Sequence, residues 1–369
     1  MNDDYLTKQI ITYMGNKRKL LKHIKEILIN LEEKHGRKLS IGDGFSGSGI
    51  VSRLFKQHSQ DLYSNDLAGY AKTLNQCFLT NLSDKDSIQL QKYIDTANKH
   101  ANNKTSKFLK HYITGNWSPN HPTQITKDDR VYFTHENGNR IDIIRNYIET
   151  IPKKYQPFLL GSLLVESSIH NNTNGQFSAY YKNEDGIGQY GGKKNIDVKR
   201  ITGPITLKMP TSYNSNANVN ISNMDTNEWI KQIPELDLVY YDPPYNKHPY
   251  SIFYFMLDII NNWNTDTEIP STYRGQPKNW IKSKYNSSIE AEKAFSDLIS
   301  NTRSKYILIS YNSGGIIPID KMDSLLKKYG SVTKIPVTHN TYNRLKGISE
   351  YKSKKPTTKV NEFFWLIEK

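Results

Sequence analysis

The chain has 369 residues, a formal net charge of +14, 25 tyrosines and a single cysteine. One thiol excludes an internal disulfide and a cysteine-built zinc site, and no apolar run approaches the ~20 residues of a membrane span. The positive surplus points to a polyanionic partner, because phosphate neutralisation is the usual reason to carry it; a merely solubilising basic surface is the alternative.

Asp3 and Asp4 stand where an exported chain would carry a charged-then-apolar leader, so the expected compartment is the cytoplasm. Residues 17–33 read as an amphipathic helix, with Leu20, Leu21, Ile24, Ile27, Leu28 and Leu31 at helical spacing. A strand at Leu39 to Asp43 runs into Gly44-Phe45-Ser46-Gly47-Ser48-Gly49 and a helix carrying Ile50, Val51, Leu54 and Phe55. The next strand, Asp61 to Ser64, ends at Asn65-Asp66, and a helix from Ala68 to Leu82 follows. Cys77 shares an apolar face with Leu74 and Phe78, which suits a buried thiol better than a nucleophile. Strand, glycine turn, helix, strand, acid and helix together open a doubly wound α/β domain.

From about residue 85 to 215 this alternation stops. Polar helical stretches bracket a region rich in Asn, Thr and Lys; an apolar helix at Pro157 to Ile169 and a glycine- and lysine-rich stretch at Asn174 to Thr202 follow. Strands resume at Val219 to Ile221, Leu236 to Tyr241, Lys305 to Ser310 and Glu362 to Ile367. Helices are expected between them at Tyr250 to Trp263, Ile289 to Thr302 and Ile319 to Tyr329. Lys352 to Lys359 reads as a mobile basic loop. The α/β domain is therefore split by an insertion.

Two turns carry chemistry. The glycines of Phe45-Ser46-Gly47-Ser48-Gly49 let backbone approach a ligand at a helix N-terminus, and Asp66 is placed to accept from a ribose diol or to cap a helix. The turn lacks three-glycine dinucleotide spacing and a P-loop lysine, so turn and acid together favour an adenosine-containing cofactor. Asp242-Pro243-Pro244-Tyr245 follows a strand at its carboxyl end, where open α/β sheets bind ligands. An adenine amino nitrogen is a poor nucleophile because its lone pair is delocalised into the ring. A carboxylate (Asp242) and a main-chain carbonyl (Pro243), each accepting one N–H, hold that nitrogen and let it pyramidalise. Pro243 and Pro244 stiffen the turn, and Tyr245 offers a face for an extruded base. The 10 histidines form no metal-binding pair of the His-x-x-x-His or His-Glu-x-x-His kind, so no metal is expected.

Tyr13-Met14-Gly15-Asn16-Lys17, Phe45 to Gly49, Asn65-Asp66 and Asp242 to Tyr245, in that order, resemble the alpha-class, deoxyadenosine-methylase-like DNA adenine-N6 methyltransferases. Tyr306 to Gly315 and Glu362 to Ile367 resemble that family's later strands, whereas Gly44 stands where the family often has proline. The resemblance implies a Rossmann-like class I methyltransferase domain with an inserted, mainly helical target recognition domain. Its halves would be residues 1–84 (cofactor binding) and 216–369 (catalysis), around 85–215. S-adenosylmethionine would be held by Tyr13, Gly15, Asn16, Lys17, Phe45, Ser46, Gly47, Ser48, Gly49, Asp66, Asp225 and Asp242. In the insertion Lys193, Lys194, Lys199 and Arg200 would lie near phosphates of double-stranded DNA, with Tyr180, Tyr181 and Gln189 reaching towards bases. A monomer or weak dimer is implied, beside a restriction endonuclease of a type II system acting separately. Cytosine-N4 or RNA adenine methylation, and a non-catalytic nucleic-acid-binding scaffold, are the competing readings; cytosine-N4 enzymes usually carry serine at the position of Asp242.

Overall fold

Strands whose residues are apolar on both faces belong in the middle of a covered sheet, and Leu236–Tyr241 and Ser304–Asn312 of this chain are of that kind. The computed structural model describes residues 4–8, 10–103, 110–278, 280, 282–340 and 359–369. Its strands are β1 (Leu39–Asp43), β2 (Ser59–Asn65), β3 (Asn218–Ser222), β4 (Leu236–Tyr241), β5 (Ser304–Asn312), β6 (Ser331–Asn340) and β7 (Lys359–Glu368). They form one sheet in the order β3-β2-β1-β4-β5-β7-β6. The first five run parallel, and β7 is antiparallel to both of its neighbours.

After a single turn α1 (Asp4–Thr7), the helices are α2 (Leu21–His35), α3 (Ile50–His58), α4 (Gly69–Leu79), α5 (Asp84–Asn103), α6 (Tyr112–Trp117), α7 (His135–Ile148) and α8 (Gln156–Ile169). They continue with α9 (Val198–Thr202), α10 (Thr226–Gln232), α11 (Tyr250–Asn262), α12 (Ala291–Asn301) and α13 (Ile319–Leu326). The side-chain period of two sorts β4 between two cores. Leu238 and Tyr240 pack with α2 and α3, while Val239 and Tyr241 pack with α10, α12 and α13.

The helix expected over residues 17–33 divides. Asn16 Oδ1 accepts from Arg18 N and caps a 3-10 turn at Lys17–Leu20, and the α-helix proper ends at Gly36 in left-handed conformation. β6 was not anticipated, because Ser, Thr and Lys interrupt its apolar pattern; it is an edge strand, where Pro336 is tolerated. The run Lys352 to Thr358 lies outside the described residues, and Lys359 begins β7.

Residues 85–215 are mainly helical; among the described residues they add no strand to the sheet, only a bridge between Lys182 and Gly188. Their apolar side chains share one core with α4 and α11: Leu159, Leu163 and Ile144 pack in the same cluster as Leu74, Leu257 and Ile260. Cys77 lies in this core at 1% exposure, and burial pushes its thiol well above the usual range. A Cβ on Gly161 of α8 would lie 2.6 Å from that of Cys77, so glycine sets the approach of α8 to α4.

Candidate active site

The sheet reverses its winding between β1 and β4, and the two chemistry-bearing turns leave from the carboxyl ends of these neighbours. Asp43 is in register with Tyr240, and Gly44 N donates to Tyr240 O at 3.0 Å. A crevice at such a switch point is where open α/β sheets hold ligands. Gly44 fits the packing here: a Cβ would stand 2.7 Å from the Tyr241 ring and 2.9 Å from Thr226 Cγ2.

In the first turn Gly47 and Gly49 have φ of 51° and 77°. Gly49 begins α3, and a Cβ there would meet Asn75 Oδ1 at 2.7 Å. Asn75 is fixed in turn, donating to Ser46 Oγ and Ala71 O. Asp66 accepts from Gly47 N and Ala68 N, each at 2.8 Å, so it ties the glycine turn to the start of α4. Burial raises its pKa, against the pull of these backbone donors. Asp225 caps α10 by accepting from Asn227 N.

Tyrosines of α11 pin the N-terminal motif. Met14 N donates to Tyr254 Oη at 2.7 Å, and Tyr250 Oη donates to Met14 O at 3.2 Å. Tyr13 stacks on Tyr254 with centroids 4.9 Å apart. Gly15, at φ 70°, leaves room for Tyr245 Oη, which a Cβ would meet at 3.2 Å.

This pinning drives Lys17 inward instead of into solvent. Its ammonium lies 2.9 Å from Asp242 Oδ1 and 2.8 Å from Glu362 Oε1, with only 4% of the side chain exposed. Glu362 stands on β7 opposite Asn312 of β5, and Ser310 Oγ donates to its Oε1 at 2.7 Å. Burial pushes the Asp242 carboxyl up to about 7 against the pull of Lys17, and Glu362 adds to the rise. Burial also opposes the lysine charge, but the two carboxylates outweigh it and hold its pKa well above the usual value. The result is a buried cation shared by two acids, one of them at the mouth of the crevice.

A cavity of about 370 Å³ joins both turns. Tyr13, Gly15, Asn16, Lys17, Phe45, Ser46, Gly47, Ser48, Asp66, Asp225, Asp242 and Pro244 all line it. Gly49, the N-cap of α3, is not one of its lining residues. Pro243 is buried, and Tyr245 sits edge-on to Tyr311 with its ring 5.7 Å from the Lys17 ammonium. The volume falls within the usual ~300–1,000 Å³ of small-molecule sites. Carboxylates for a diol and an amine, aromatic faces at Phe45 and Tyr13 and close-approach glycines suit an adenosine-bearing amino acid.

Glu362, Ser310, Tyr250, Tyr254 and Asp258 were not singled out as site residues from the sequence. Asp258 of α11 also lines the cavity, and burial raises its carboxyl to about 7. Only an acid interrupting an apolar strand, as Glu362 does in β7, was a visible signal.

The expected DNA-facing residues separate into two groups. Tyr180 is 7% exposed and donates to Asp129 O, and Arg200 donates to Ile169 O, Asn171 O and Thr173 O. Both polar ends are therefore spent inside the protein in this conformation. Lys194 and Lys199 are exposed, Lys193 pairs with Glu184 at the surface, and Tyr181 and Gln189 are half-buried.

Comparison with known proteins follows the same lines. A family model described as D12 class N6 adenine-specific DNA methyltransferase matches residues 13–324. The chain is 28% identical over 365 residues to the type II methyltransferase M.FokI of Planomicrobium okeanokoites, covering 97% of this chain and 52% of that protein. It is 26% identical over 370 residues to M.NlaIII of Neisseria lactamica, covering 97% and 99%. To M.CviAII of Paramecium bursaria Chlorella virus 1 it is 28% identical over 337 residues, covering 90% and 92%. The chain thus spans about half of the first relative and nearly the whole of the other two.

Proposed function

The chain belongs to the D12 class of N6 adenine-specific DNA methyltransferases, and from that premise we propose that it methylates N6 of an adenine swung out of double-stranded DNA, with S-adenosylmethionine as donor. The supporting observation is that Asp242 shares one cavity with the glycine turn and Asp66. The residues that line it suit the donor: Asp66 for the ribose hydroxyls, Asp225 for the adenine edge, Phe45 to Gly49 as the floor. When bound, the donor supplies an electrophilic methyl group.

The protein's own part is to make a weak nucleophile reactive. The Asp242 carboxylate and the Pro243 carbonyl each accept one hydrogen from N6, which localises its lone pair and aims it at the methyl. Lys17, bonded to Asp242 and Glu362, holds the carboxylate in place and favours its charged form. Tyr245 offers a ring to the displaced base. Lys194, Lys199, Tyr181 and Gln189 of residues 85–215 serve as recognition contacts, and that region as the target-recognising part. The three relatives bear type II methyltransferase names, which supports the reading of this enzyme as the modifying member of such a system, a cytoplasmic monomer or weak dimer that protects DNA from a separate endonuclease.

Asp242→Ala tests the mechanism. The variant is expected to bind S-adenosylmethionine by calorimetry yet transfer no label to adenine. Full transfer would refute the role of the carboxylate. Mass analysis of nucleosides from treated DNA and RNA separates adenine N6 from cytosine N4 and from an RNA substrate.

A further inference from the structure

The segment 271–286, between α11 and α12, carries Arg274, Lys278, Lys282 and Lys284 and no acid. The run without an acid extends from Glu268 to Glu290. Its described residues face two ways. Gln276, Pro277, Trp280, Ser283, Tyr285 and Asn286 line the same cavity as Asp242 and Pro244. Lys278, Lys282 and Lys284 point outward, exposed, and form no ion pair among the described residues. Each of these lysines is the chain neighbour of a cavity-lining residue, so its Cα lies ~3.8 Å from one.

This rim is anchored at its two ends. Arg130 donates to Thr272 O and Pro270 O, and Trp117 Nε1 to Arg274 O at 3.0 Å. Gln276 Nε2 donates to Ser251 O, Tyr285 Oη to Asn227 Oδ1 and Asn286 Nδ2 to Asn246 O. At its start Tyr273 is 52% exposed, with Lys182 and Arg274 each 5.3 Å from its ring centroid. A base that reaches Asp242 from outside leaves its flanking phosphates at the cavity mouth. Cations there neutralise those phosphates.

We propose that Lys278, Lys282 and Lys284 form a second DNA-backbone clamp, neutralising phosphates beside the nucleotide held at Asp242. The clamp rests on the reading of this site as a DNA methyltransferase. It places contacts on the catalytic half of the chain, apart from residues 85–215.

The test compares the triple substitution K278Q/K282Q/K284Q with wild type and with K293Q/K327Q/K328Q, on α12 and just past the end of α13, as a charge-matched control. Affinity for a methylatable duplex is measured across a salt series, with S-adenosylmethionine binding and thermal unfolding as checks. The clamp predicts a salt dependence of log affinity shallower by up to about 2.7, at ~0.9 per phosphate contact, with donor binding and unfolding unchanged and the control like wild type. An unaltered slope in the rim variant, or an equal change in the control, overturns the clamp and leaves the methyltransferase reading intact. A wild-type protein that binds the duplex but never labels adenine sinks that reading instead.

Discussion

Replacing Lys17 by methionine keeps the length of the side chain and removes the cation 2.9 Å from Asp242 and 2.8 Å from Glu362. At an effective dielectric of ~20 one unit charge at this distance acts on its neighbour with roughly 6 kcal/mol. Water entry and side-chain relaxation reduce that, and a carboxylate beside a fixed cation is typically shifted by ~1–3 pK units. In the native protein Asp242 already titrates at about 7. Its charged form, which accepts the N6 hydrogen, is present above that pH and is lost as the pH falls through it. Without Lys17 the carboxyl rises further, so the acid limb of the kcat/KM profile moves to higher pH by about 1–3 units. At pH 7, where half of the native carboxyl is charged, this costs ~5- to 500-fold in rate. The assay is label transfer to duplex DNA between pH 6 and 10, with donor binding measured in parallel. Partial recovery towards pH 9 is expected in Lys17→Met. A variant whose acid limb superimposes on wild type, with donor binding intact, would show that the lysine does not govern the carboxylate.

Three other outcomes follow from the packing. Gly49→Ala is expected to destabilise the fold by about 1–3 kcal/mol, from positive φ and from a Cβ driven against Asn75, whose amide is held by Ser46 and Ala71; denaturant unfolding measures it. Arg200→Met, which strands three backbone carbonyls, should cost about 2–4 kcal/mol, whereas Lys199→Met should leave unfolding unchanged and weaken duplex binding. Cys77, buried at 1% exposure, should react with a thiol reagent only at the rate of unfolding, and rapid labelling of the native protein would contradict the packed α4–α8 contact.

Local signals identified the elements that gather the site. The glycine turn, Asp66 and the Asp-Pro-Pro-Tyr turn each follow a strand, and the short apolar run in residues 236–241 suffices to put Asp242 at a strand's carboxyl end. That β1 and β4 are neighbours, bringing turns distant in the chain to one cavity, follows from sheet order and not from spacing. β6 escaped notice because an edge strand is covered on one side and tolerates polar residues and Pro336.

By itself the sequence determined which residue types could do the chemistry, because carboxylate, proline and glycine at a strand end act through local geometry. Only the tertiary structure decided their partners. Lys17 read as a contact to the methyl donor, yet at the wall of the same cavity tyrosines of α11 turn it inward onto Asp242 and Glu362. Arg200 and Tyr180 read as nucleic-acid contacts, yet their polar ends satisfy backbone carbonyls. A long polar side chain can meet either solvent or a buried partner, and the choice rests on desolvation and pairing with groups far away in the chain.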